Sequence, residues 1–136
     1  MLAVDDLFYT SSAVVKSLFF EDVMQWLEKN EIRFSPRIGL PGKSGFTHTF
    51  DFVIPKSSKA PERIVQAIST PDKQRIKLFT FSWLDTRETR SKESQAIAIL
   101  NDERTVPQVS RDALRQYGID QVLWSQKEKA KQKLAA

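Results

Sequence analysis

Between residues 50 and 68 the chain reads FDFVIPKSSKAPERIVQAI, two apolar runs joined by a polar loop that opens on a proline. Short runs rich in β-branched and aromatic residues, bounded by such loops, are strands. The second run, RIVQAI at 63–68, is apolar almost throughout. A strand of that kind is buried on both faces, as the central strand of an α/β sheet is. Two polar side chains interrupt the pattern, Asp51 in the first strand and Gln66 in the second. A buried carboxylate is costly unless something pairs with it, so Asp51 is the first residue to account for.

The flanking segments supply helices. Residues 11–30 carry Val15, Leu18, Phe19, Val23, Trp26 and Leu27 at three- and four-residue spacing, the stripe of an amphipathic helix. Ser11 or Ser12 is the expected cap, and Lys29 and Asn30 suit the other end. Residues 2–10, LAVDDLFYT, read as a short strand or extended arm, or as the stump of a preceding domain. Residues 31–49 are broken by Pro36, Gly39, Pro41, Gly42 and Gly45, which predicts an irregular edge strand and a hairpin turn. Gly42-Lys43-Ser44 fails the phosphate-loop pattern, because Arg37 stands where the first glycine is required. In the next strand, residues 46–54, strict alternation points Phe50, Phe52 and Ile54 one way, and Thr49, Asp51 and Val53 the other.

Pro71 and Asp72 open a helix carrying Ile76, Phe79, Thr80, Trp83 and Arg87. Residues 95–100 are a short buried strand. Residues 110–117 are a helix capped by Ser110 and stopped by Gly118, and 119–125 are a last strand. The lysine-rich tail 126–136 is expected to fray or to lack order. The expected fold is therefore α/β: a mixed central sheet flanked by helices, in the order helix, hairpin, strand, helix, strand, helix, strand. Its first half is antiparallel and its second half is parallel through right-handed crossovers. One domain spans 11–125.

Composition removes several chemistries. The 136 residues contain no cysteine and a single histidine, His48. Disulfides, thiolate zinc sites, cysteine nucleophiles and imidazole-rich zinc sites are excluded. The net charge is +4, from 21 basic and 17 acidic residues, and part of it lies in the tail. A polyanionic partner is compatible with that balance. No apolar run approaches the ~20 residues of a membrane helix, and no signal peptide is seen. A cytoplasmic, soluble domain is expected.

If the second and third strands pair antiparallel, Asp51 and Gln66 project from one edge of the sheet. Two hard oxygens there make half of a magnesium site, with room for water and phosphate oxygens. Such an ion stabilises the attacking and leaving oxygens of a phosphodiester. The element order, with FDFVI on one strand and IVQAI on the next, resembles the PD-(D/E)XK nuclease superfamily. That resemblance implies a metal ligand at Asp51 and a second at Gln66, in the glutamine variant of the motif. It implies a lysine where Ile68 stands, so the lysine is either lost or moved to the next helix, where Lys73 and Lys77 are candidates. A second and longer likeness runs through NEIRFSP (30–36), GKSGFTHTFDFVIP (42–55), KAPERIVQAI (59–68), LND (100–102), YGI (117–119) and LWS (123–125). These words resemble a bacterial and prophage domain family of unknown function, which implies a partner domain N-terminal to residue 11.

Each candidate has a plainer alternative. Asp51 can be a strand acid satisfied by loop N–H groups or paired with Arg63. Gln66 can be a buried amide in a hydrogen-bond network. His48 is expected at the surface or core edge, on the face opposite Asp51. Arg87 and Arg90 can bind phosphate or form a salt-bridge cluster with Asp85. Trp26, Trp83 and Trp124 are expected as core anchors, with base stacking on Trp124 as the other option. Lys127, Lys129, Lys131 and Lys133 can be a solvated run or add salt-sensitive affinity for nucleic acid. The sequence thus supports a nuclease-like domain, with magnesium or with no cofactor, against a non-catalytic nucleic-acid or protein binding module on the same fold. A phage structural subunit or toxin–antitoxin partner is a third class, and the oligomeric state stays open.

Overall fold

The computed structural model describes residues 2–135, with side chains from residue 13 onward. The elements are α1 (Leu2–Lys29), β1 (Ser35–Pro41), β2 (Thr47–Ile54), β3 (Arg63–Ile68), α2 (Lys73–Arg87), β4 (Gln95–Leu100), α3 (Gln108–Gln116), β5 (Asp120–Leu123), a 3-10 turn at Trp124–Gln126 and α4 (Lys131–Leu134). The strands form one open mixed sheet in the order β1-β2-β3-β4-β5. β2 is antiparallel to β1 and β3, while β3, β4 and β5 are parallel. β3, apolar apart from Arg63 and Gln66, is the central strand, as its composition requires.

Helices cover both faces. On one, Phe19, Val23, Trp26 and Leu27 of α1 pack on Phe52, Val65, Ile97 and Val122. Phe20 stacks on Phe52 with ring centroids 4.9 Å apart. On the other face, Ile76, Phe79 and Trp83 of α2 and Leu114 of α3 cover Phe50, Ile64, Ala96 and Leu100. Asp72 is the N-cap of α2 and accepts the Arg75 N–H at 2.9 Å. Gly118 ends α3 with φ +70, a conformation that glycine adopts without Cβ strain.

Two helix starts differ from expectation. α1 begins at Leu2, so residues 2–10 continue the helix, and Ser11 and Ser12 are interior rather than caps. No proline or glycine interrupts LAVDDLFYT. α3 begins at Gln108 after Pro107. Ser110, buried within it, donates its hydroxyl to the Pro71 carbonyl at 3.2 Å. A third departure concerns the α1 stripe: burial starts at Phe19, and Val15 and Leu18 are exposed at 47% and 57%. The helix overhangs the sheet at that end.

β2 also departs from simple alternation. Phe52 and Ile54 lie in the α1-side core, but Phe50 lies in the α2-side core. The strand changes face at Asp51. Opposite it on β1 stands Arg37, between the pairs Pro36↔Phe52 and Ile38↔Phe50, with φ +51. A left-handed residue rotates the pleat locally. Ile38 and Leu40 accordingly pack on the α2 side while Phe34 packs on the α1 side.

The C-terminal segment docks rather than frays. Leu134 is fully buried in the α1-side core. Buried Arg63 donates Nη1 to the Leu134 carbonyl at 3.3 Å and to the Lys133 carbonyl at 3.4 Å. Trp26 Nε1 donates to Glu128 at 2.7 Å. One buried leucine thus holds a lysine-rich segment down. Leu134→Ala is expected to cost about 2–5 kcal/mol, read as a lower denaturant midpoint with faster amide exchange at the segment's backbone.

Candidate functional site

The β2–β3 ladder runs through Ile54↔Arg63, Val53↔Ile64 and Phe52↔Val65 and then opens. The next pair in this register is Asp51 and Gln66. Their side chains replace the missing main-chain bonds. Gln66 Oε1 accepts the Asp51 N–H at 3.0 Å, and Asp51 Oδ2 accepts the Ala67 N–H at 2.9 Å. The acid and the amide are therefore brought together, and Asp51 finds its donor on β3 rather than in a loop. Arg63 is not its partner, because that guanidinium is directed at the C-terminal segment.

Burial pushes the Asp51 carboxyl above its usual value. The Ala67 N–H and the charges of Lys16 and Arg37 oppose that rise. The two cations come from different elements, α1 and β1. Arg37 Cζ also sits 4.4 Å from the centroid of the Phe20 ring. Gln66 and Ala67 open onto a cavity of about 170 Å³, which Lys16 and Arg75 also line. Asp51 bonds to both of those wall residues without lining the cavity itself. Arg75 is oriented by Asp72, whose carboxylate bonds its Nη1.

The other expected site residues lie elsewhere. Lys73 and Lys77 are exposed on α2, and neither lines this cavity. Arg87 is exposed in the last turn of α2. Arg90 is a structural anchor: its Nε donates to Glu62 at 3.0 Å in a two-point pair that also receives the Ser94 hydroxyl. Its partner is Glu62, not Asp85. Lys127 lies 4.3 Å from the Trp124 ring centroid, and Lys129 is exposed in the following turn. Trp26 and Trp83 are core residues. Trp124 is half-buried against the edges of Phe19 and Trp26, which with Lys127 leaves little ring face for a base.

His48 joins a second polar cluster. Its Nε2 lies 2.7 Å from Asp85 Oδ2, and Asp85 also accepts the Ser44 hydroxyl at 2.6 Å and the Ser44 N–H at 2.8 Å. The Ser44 and His48 hydrogen bonds hold the Asp85 carboxyl below the usual carboxylate range. The serine, acid and histidine are in the wrong order for nucleophilic catalysis, which requires histidine between the other two. The cluster fastens the β1–β2 hairpin to α2. Gly42 is needed there, since a Cβ would fall 1.9 Å from Asp85 Oδ2.

The fold and this site define an α/β domain whose open mixed sheet carries an acid–amide pair at a broken ladder. The family model for the domain of unknown function DUF1829 matches residues 42–127. The chain belongs to that family. The match takes in β2, β3, Asp51, Gln66 and Arg75, and leaves Lys16 and Arg37 before it. No curated protein and no solved structure matches the chain. Among the described residues, no helix is long and apolar enough to cross a membrane, and no three His, Cys, Asp or Glu side chains group to hold a metal ion.

Besides Arg75, two residues escaped the sequence reading. Lys16 is hidden because it sits inside an apolar stripe, and only the overhang of α1 leaves it exposed at the cavity wall. Arg37 was read as a failed phosphate-loop position. No local pattern marks either.

Proposed function

We propose that this domain is nuclease-like and engages the phosphodiester backbone of nucleic acid at the opening between β2 and β3. The observation that carries the reading is the arrival of cations from three elements, Lys16, Arg37 and Arg75, around one acid–amide pair. A pair that only pinned two strands would need no such surroundings, whereas a phosphate needs them. The strand order, with the acid on β2 and the glutamine on β3, supports the same reading through its likeness to the PD-(D/E)XK fold. In a metal-bound state Asp51 and Gln66 would be the protein ligands. Asp51 keeps Oδ1 after Oδ2 is taken by Ala67, and Gln66 Oε1 has a second lone pair. That donor set fits a magnesium ion held mainly by water and substrate oxygens. The ion would supply charge stabilisation at phosphorus. Lys16 takes the place of the missing motif lysine, and Arg75 orients a phosphate oxygen.

A second reading rests on the same two hydrogen bonds. Gln66 Oε1 and Asp51 Oδ2 are each satisfied by backbone N–H groups, as in a non-catalytic binding module. Cleavage of plasmid DNA and of RNA with magnesium or manganese separates the two. Metal-dependent cleavage that is lost in Asp51→Ala and with a chelator is expected. Binding to both polymers with no cleavage under any metal would instead establish the module.

A further inference from the structure

A larger recess adjoins the phosphate site. It measures about 700 Å³ and lies where β3 and β4 end and the segments leading to α2 and α3 begin. Ser69 lines both cavities, and Val15 and Lys16 are successive residues of α1. The Asp72–Arg75 ion pair bridges them, with Asp72 on the recess and Arg75 on the phosphate cavity. Ligands of open α/β sheets bind beyond the carboxyl ends of the strands. The volume is within the range of about 300–1,000 Å³ that small-molecule sites occupy.

The walls decide what fits. Val15, Pro71 and Pro107 make them largely apolar. At the rim stand Asn101, Glu103 and Arg104, so donors and acceptors are both present. Glu103 and Asp72 disfavour a phosphate there, whereas a heterocycle with exocyclic amines suits them. Phosphate is favoured one step away, beside Lys16 and Arg75.

We infer that the recess receives an unpaired nucleobase adjoining the phosphate bound at Gln66, so that the substrate class is single-stranded or locally unpaired nucleic acid. The inference rests on the phosphodiester reading above. A duplex keeps its bases stacked inside and cannot offer one to a recess without flipping it out, whereas a single strand can.

The test uses the full chain and a fluorescein-labelled oligoadenylate, whose base carries an exocyclic amine, alone and annealed to oligothymidylate, in magnesium-containing buffer. The variants are Thr105→Trp, which fills the recess from its wall, and Lys16→Ala. The single strand is expected to bind at least about tenfold more tightly than the duplex. Thr105→Trp should remove that preference while leaving duplex affinity and melting temperature unchanged. Lys16→Ala should weaken both ligands alike. Equal affinity for the two, with Thr105→Trp silent and Lys16→Ala weakening both, overturns the base recess and leaves the phosphate site standing. Binding to neither by the wild-type protein overturns the phosphodiester reading and the recess with it.

Discussion

Asp51→Asn is expected to melt about 2–4 °C above the wild type at neutral pH while losing all metal-dependent activity. The carboxyl is raised from its ordinary value of 3.8, chiefly by burial. The folded protein therefore holds this proton more tightly than the unfolded chain does. Below the unfolded value both states carry it, and the group costs nothing. As pH rises through the folded value the charge must be sustained in a partly dry setting, and the cost is complete. Asparagine keeps an oxygen for the Ala67 N–H and removes the charge. The difference in melting temperature should be full at neutral pH and shrink towards zero as the pH falls to the unfolded carboxylate range. If Asp51 is a metal ligand as proposed, magnesium should raise the melting temperature of the wild type and not that of the variant. A melting temperature for Asp51→Asn below that of the wild type at neutral pH would contradict the role of burial.

The second large effect concerns Lys16. Lys16→Ala is expected to reduce cleavage about a hundredfold or more, the loss that follows removal of one charge-stabilising donor. It should also reduce the salt slope of nucleic-acid binding by about one. Its melting temperature should fall only slightly, because Lys16 is exposed and offsets only part of the cost of the buried Asp51 charge. Lys16→Arg should restore the salt slope and only part of the rate, because a guanidinium keeps the charge but not the compact ammonium geometry. Lys73→Ala and Lys77→Ala serve as controls on exposed α2 positions. If either matched Lys16→Ala in rate loss, the displaced-lysine role would belong to α2 instead.

These expectations separate what a one-dimensional pattern carries from what it does not. The apolar run at 63–68 placed β3 at the centre, because two-sided burial leaves no polar face to read. The pairing of Asp51 with Gln66 was legible for a related reason: antiparallel strands joined by a short loop have few registers. The face change at Asp51 was not legible. FDFVI alternates regularly, and the rotation originates in Arg37, an ordinary residue whose φ of +51 has no signature in its identity. Lys16 escaped because its role depends on where α1 stops touching the sheet, a tertiary matter. The C-terminal segment misled through composition, since its lysines outvoted Leu134, the single residue that enters the core. Ser110 has the chemistry of a cap, yet Pro107 starts the helix earlier and the hydroxyl is used to tie α3 to Pro71.

The change of face along β2 bears on how firmly the acid is held. Phe50 and Phe52, its two neighbours, are anchored in opposite layers of the domain. Sliding the strand by one residue would pull one ring out of each layer and push it into the other. The carboxylate therefore owes its position to the packing of both layers together, as a spoke does to opposed tension at hub and rim. A site fixed in this way has little freedom to adjust, so on the proposed reading the accommodation falls to the ligand.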